Sequence, residues 1–164
     1  MRERMLISFL NDKRRFNYRS AGVVIREGHV LVVRMDNEEF NYLPGGRVEF
    51  GETSDCALER EIKEELNCKC KVGRLLFSVE NFFRLNDEQF HELGRYYEVE
   101  LPDNFPFAIS NQPFVTYDEG HKLVFNWVRL QDNSLAEAGL QPKWIRKELL
   151  DLPSDTLHLI ENEM

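Results

Sequence analysis

Apolar positions recur along this chain with two different spacings, and each change of spacing marks the edge of an element. Tyr18 to Ile25 and Val30 to Met35 are rich in β-branched residues, and Glu27-Gly28-His29 between them is a turn signal, so they predict two strands. Pro44-Gly45-Gly46 breaks the pattern sharply. Beyond it Leu58, Ile62 and Leu66 stand four residues apart, which predicts a helix with one buried stripe. That helix starts near Thr53 or Ser54, either of which can cap it, with Asp55 placed near the positive end of the helix dipole. Strand character returns from Val72 to Phe83, with a bend at Gly73. After the polar break Asn86-Asp87-Glu88 it resumes from Phe90 to Leu101, where Tyr97, Val99 and Leu101 alternate with Tyr96, Glu98 and Glu100. Pro102, Pro106 and Pro113 make Pro102 to Tyr117 a long loop, and Lys122 to Leu130 is a last strong strand. Ser134 to Ala138 and Pro142 to Leu150 predict helices, with Pro142 in a first turn. Pro153 then punctuates the chain before a short C-terminal segment. The opening sixteen residues carry an apolar patch, Leu6, Ile7, Phe9 and Leu10, that suits either a first strand or a short docking helix. Strands, a central helix, more strands and final helices suit a mixed sheet covered by helices on both faces, an α/β fold.

Composition narrows the function classes. The 164 residues suit a single domain spanning 1–164, 42% hydrophobic and 30% charged. A balance of 21 basic and 29 acidic residues, net −8, argues against an extended basic surface for nucleic acid, and no helix-turn-helix segment is present. Anionic small molecules remain compatible, because a bound cation and local arginines can reverse the sign at a site. Cys56, Cys68 and Cys70 fit a reducing cytosol, with Cys68 and Cys70 as alternate residues of a strand. No apolar run approaches the ~20 residues needed to span a bilayer, and the first residues lack a signal-peptide core. The expectation is a cytoplasmic protein that contacts no membrane.

Candidate chemistry concentrates between Gly45 and Cys68. Glu61, Glu64 and Glu65 are spaced to share one helical face, which points elsewhere than the apolar stripe. Like charges so placed repel each other, which makes sense where a cation sits against them. Mg²⁺, a hard ion that takes oxygen ligands and contacts substrate phosphates, is the natural candidate, with Mn²⁺ as a substitute. A Glu-rich face alone is usually just solvated, and Glu59 with Lys63 or Arg60 with Glu64 would be ordinary helix pairs. The preceding Gly-Gly, Glu49 and Glu52 reverse those odds, since a solvated helix needs none of them.

Gly46, then Glu52 after five residues, then Arg60-Glu61-Ile62-Lys63-Glu64-Glu65 after seven more, resembles the signature of the Nudix hydrolases. Asn67 and Cys68 stand where that signature has Gly and an aliphatic residue. Asn readily takes the left-handed conformation that ends a helix, and a free Cys packs as a small hydrophobe, so both departures leave the metal positions intact. The resemblance implies an α/β/α sandwich with a mixed sheet and the signature as loop-helix-loop. It implies metal ligation by Glu61, Glu64, Glu65 and the Gly46 carbonyl, with Arg60 orienting Glu52 by a bidentate pair. The general base would be Glu61 or, from a downstream loop, Glu119; Glu92 carries lower weight. Arg34 and Arg19 are candidates for phosphate contact, and Phe40, Tyr42, Phe82 and Phe83 for base stacking, although such aromatics are more often core. Some fifteen to eighteen residues past the signature, Phe83-Arg84-Leu85-Asn86 has neither the Pro nor the Tyr often found in family members acting on ADP-ribose or dinucleoside polyphosphates.

The implied activity is Mg²⁺-dependent hydrolysis of a pyrophosphate bond in a nucleoside diphosphate linked to another group, with a nucleoside triphosphate also within reach. The competing reading is a non-catalytic Nudix-fold module that binds a nucleotide or a partner protein. The implied partner is a nucleotide-type small molecule, and the family resemblance permits a homodimer.

Overall fold

The computed structural model describes residues 3–164. A short hairpin, β1 (Ser8–Asn11) and β2 (Arg14–Val23), is followed by a second, β3 (Ile25–Arg26) and β4 (His29–Met35). The loop strand β5 (Gly45–Arg47) leads into helix α1 (Ser54–Leu66). Two long strands come next, β6 (Lys71–Leu85) and β7 (Glu88–Glu100), then β8 (Phe114–Asp118) and β9 (His121–Arg129). Helices α2 (Asp132–Glu137) and α3 (Trp144–Leu150) precede a last strand, β10 (Leu157–Asn162).

The hairpin turns share one chemistry. Asp12-Lys13, Glu27-Gly28, Asn86-Asp87 and Glu119-Gly120 each place both central residues at positive φ. Such two-residue turns match the right-handed twist of the strands they join. Only Glu27-Gly28 and the Asn86-Asp87 break announce themselves strongly in the sequence.

Two sheets result. One has the order β1-β2-β7-β6-β10, with β5 also on β2; the other is β3-β4-β9-β8. The first is mixed: β2 runs parallel to β7 and β10 parallel to β6, while β6 and β7 are antiparallel. Alternation along β4 splits the core in two. Val30 and Val32 join Leu135, Trp144, Ile145 and Leu149 of α2 and α3, whereas Leu31 and Val33 join Leu58, Ile62 and Leu66 of α1. The helices therefore cover opposite faces of the sheets, the expected α/β/α arrangement. The predicted stripe of α1 is buried, with Leu58 and Ile62 fully so.

Several local expectations are corrected. The stretch read as a loop to Tyr117 ends in strand β8, which pairs with β9 and so gains the backbone partners a loop would lack. Of the two readings left open for the opening patch, the first strand is the one formed: Ser8–Asn11 pairs with β2, and Phe9 and Leu10 stay exposed. Cys68 and Cys70 precede β6 rather than alternating within it, and both pack against the α1 cluster. Helix α3 begins at Trp144, after Pro142 rather than on it. The C-terminal segment becomes β10, whose partners lie far back in the chain and leave no local signal.

Candidate active site

Two glycines shape the loop that faces α1. Gly45 has φ 152°, and a Cβ there would run into the Ser20 backbone of β2. A Cβ at Gly46 would land on the Glu61 carboxylate, so the backbone approaches α1 as closely as only glycine allows. The far end of α1 is closed by Asn67 at φ 53°, ψ 39°, whose N–H donates to the Lys63 carbonyl at 3.0 Å. Asn67 thus does the capping that glycine would do.

Arg60 organises the acidic side chains. Its Nη2 and Nε donate to the two oxygens of Glu52 at 2.6 and 3.2 Å, a bidentate pair. Its Nη1 donates to Glu61 Oε1 at 2.7 Å and to Glu64 Oε2 at 3.4 Å, and its Nη2 to the Arg47 carbonyl at 3.1 Å. Burial opposes its charge, but the Glu52 and Glu61 carboxylates outweigh that and hold the guanidinium firmly protonated. Glu52 in turn accepts from the Glu49 backbone N–H at 2.8 Å.

Oxygens of Glu61, Glu64 and Asp118 all lie within 4.8 Å of one another, close enough to hold one cation. Glu65 stands outside that trio although it lines the same cavity, and its Oε2 has no hydrogen-bond partner among the described residues. Burial raises Glu65 well above the ordinary carboxylate range, and the neighbouring Glu61 charge adds to it. Burial also raises Glu61, with Arg60 partly offsetting the shift. Buried acids that resist ionisation alone, beside an unpartnered carboxylate oxygen, fit a hard divalent ion. Glu61, Glu64 and Asp118 would hold it, with Glu65 and the Gly46 carbonyl alongside.

A cavity of about 720 Å³ adjoins this edge, with Gly46, Glu65, Asp118, Arg19 and Arg47 among its lining residues. Arg19 donates to the Leu43 carbonyl at 2.7 Å and lies 5.4 Å over the Tyr42 ring. Arg34 does not line the cavity; its guanidinium turns back to the Asp36 and Glu38 carbonyls. Phe40, Tyr42 and Phe83 line the cavity, while Phe82 packs on His91 instead. Glu119 sits at the β8–β9 turn, exposed and ion-paired to Arg4 at 3.0 Å. Arg4 also pairs with Glu49 at 3.3 Å and with Glu64.

Sequence reasoning missed Asp118, Arg4, Arg47, Asn17 and Asn81. Asp118 directly precedes Glu119 at a strand end, and the Tyr-Asp-Glu-Gly-His stretch was the available signal. Arg4 reaches the acids because Ile7 N–H donates to the Val48 carbonyl at 2.8 Å, laying the N-terminal segment along the loop between β5 and α1.

The fold is three-layered, with an acidic helix face set against a glycine loop. The NUDIX domain profile matches residues 17–148, and the chain belongs to that family. An ADP-ribose pyrophosphatase of Methanocaldococcus jannaschii is 41% identical over 58 residues, covering 34% of this chain and 34% of that protein. A putative nudix hydrolase of Caenorhabditis elegans is 37% identical over 67 residues, 37% of this chain and 18% of its own length. The matches thus span about a third or less of these curated relatives. Among solved structures, a MutT NUDIX hydrolase from Burkholderia pseudomallei superposes with TM-score 0.60 at 22% identity, covering 82% of this chain and 98% of that one. These likenesses agree on the fold. No helix of the described residues is long and apolar enough to cross a membrane.

Proposed function

We propose that this protein hydrolyses a pyrophosphate bond in a nucleoside diphosphate linked to another group, with a divalent cation, Mg²⁺ or Mn²⁺, as cofactor. The observation that carries the reading is the meeting of Glu61 and Glu64 with Asp118, which lines a cavity that Arg19 and Arg47 also line. When bound there, the ion would neutralise phosphate charge and acidify a water.

The chain's own residues do the rest. Arg60 fixes the Glu52 and Glu61 carboxylates in place, so their orientation is set before substrate arrives. Arg19 and Arg47 meet the negative oxygens that would otherwise repel a nucleophile. Glu61 is the first candidate to take the proton from the attacking water, and Glu119, at the cavity rim, is the second. Arg34 is left without a substrate role. Two relatives lend the reading support: one is named an ADP-ribose pyrophosphatase, and a solved UDP-X diphosphatase shares the fold at TM-score 0.60 and 18% identity over 87% of this chain and 66% of that one.

Incubation with a panel of nucleoside diphosphate derivatives and triphosphates, with and without Mg²⁺, tests this by product identification. Mg²⁺-dependent release of a nucleoside monophosphate from at least one derivative is expected. No turnover of any member would favour a nucleotide-binding module.

A further inference from the structure

A second set of polar side chains lies in the same cavity, and the proposed hydrolysis uses none of it. Asn17, Glu92 and Asn81 stand side by side on three adjacent strands: Glu92 is the register partner of Asn17 on β2 and of Asn81 on β6. All three line the cavity, at only 6%, 6% and 2% exposure. Asn17 is fixed from both sides, accepting from Ser8 Oγ at 2.9 Å and donating to Glu92 Oε2 at 3.3 Å. One Glu92 oxygen is therefore engaged, and the other has no hydrogen bond among the described residues. The Asn81 amide makes no side-chain hydrogen bond among them, and its Oδ1 is a buried acceptor without a partner. Buried polar groups are costly to leave unpaired, so an unused carboxylate oxygen beside an unused amide points to a ligand.

Position in the fold narrows that ligand. Gly46 is the register partner of Ser20, three residues along β2 from Asn17, which places the polar row about 10 Å along the strand from Gly46. Arg19 and Arg47, themselves register partners, lie between. A diphosphate held by the two arginines and by a cation at Glu61, Glu64 and Asp118 would thus direct its attached group onto the row. Phe83, stacked on Phe90 with ring centroids 4.7 Å apart, borders it as an apolar platform.

We propose that Glu92 and Asn81 bind vicinal hydroxyl groups of a sugar carried by the diphosphate substrate, and so make this protein selective for diphosphate–sugar esters. The proposal rests on the hydrolytic reading above. A hydroxyl both donates and accepts, so one can donate to Glu92 while its neighbour meets either end of the Asn81 amide. A phosphate would be repelled by Glu92.

The test compares uridine diphosphate esters that differ only in the attached group: glucose, or an ethyl group with no hydroxyls. The wild-type kcat/KM should favour the glucose ester at least tenfold. That ratio should fall toward one in Glu92→Gln, Glu92→Ala and Asn81→Ala, with melting temperatures reported beside it. A 2′-deoxyuridine version of the glucose ester separates the two sugars. If its loss in the wild type matches that of the ethyl ester and vanishes in the variants, the diol read is the nucleoside's own and the proposed selectivity for the attached sugar is overturned. An unchanged glucose-to-ethyl ratio in every variant, with the 2′-deoxy effect also unchanged, would overturn the proposal. So would variants that alter only uridine-versus-guanosine preference, since the row would then read a base. If no ester is hydrolysed at all, the hydrolytic reading fails separately, and the same ratios measured as calorimetric affinities decide the sugar question.

Discussion

Arg60 contacts Glu52, Glu61 and Glu64 through separate nitrogens, and a lysine offers only a single point charge in its place. Arg60→Lys should keep the charge and the fold but lower activity about 10–100-fold, the usual cost of losing a group that orients ligands. Gly46→Ala should be harsher, because the new Cβ displaces the Glu61 carboxylate; divalent-ion affinity measured by titration should fall with activity while the fold persists by circular dichroism. Glu92 allows a pH prediction. Burial lifts its carboxyl above the ordinary range, with Arg19 and Asn17 offsetting only part of the shift. The native state therefore binds this proton more tightly than the unfolded chain does. Its stability is greatest below the ordinary carboxylate pKa and is lost as pH rises through the raised native value. Glu92→Gln removes that penalty, so the melting-temperature gain of the variant over wild type should be larger at pH 8 than at pH 4.5. A gain that is constant or shrinks with pH would contradict the assignment. Cys70, pushed up to about 11 chiefly by burial, should react with a thiol reagent at pH 8 far more slowly than exposed Cys56.

Helix α1 separates two jobs on two faces. Ile62 is fully buried in the core cluster, so Ile62→Ala should cost ~2–5 kcal/mol in denaturant unfolding while leaving divalent-ion affinity nearly unchanged in the folded fraction. At its end, Asn67→Val should destabilise by about 1–2 kcal/mol, because a β-branched residue resists the left-handed conformation that Asn adopts there. This helix was legible in advance because its signals are local: a four-residue apolar spacing, a capping residue, a left-handed terminator. The early hairpin around Glu27-Gly28 was legible for the same reason. The Asp12-Lys13 turn was not, since neither residue favours positive φ strongly enough to outweigh its neighbours. Strand β8 was hidden by prolines upstream and by its dependence on β9 for pairing.

At the scale of the molecule, the site exists because distant segments meet. Spacing alone put Glu61 and Glu64 on one helix face, but Asp118 reaches them only because the β8–β9 hairpin packs beside α1. The row Asn17–Glu92–Asn81 likewise depends on a parallel pairing of β2 with β7, which no local pattern encodes. Sequence therefore pointed to the half of the candidate site carried by one contiguous motif and concealed the half assembled by sheet register. The most direct test of the assembled site is Mn²⁺ titration followed by electron paramagnetic resonance. Wild-type protein should bind the ion, and Glu61→Gln, Glu64→Gln and Asp118→Asn should each weaken binding at least tenfold with the fold retained. Affinity unchanged across all three variants would show that these carboxylates do not converge on a cation.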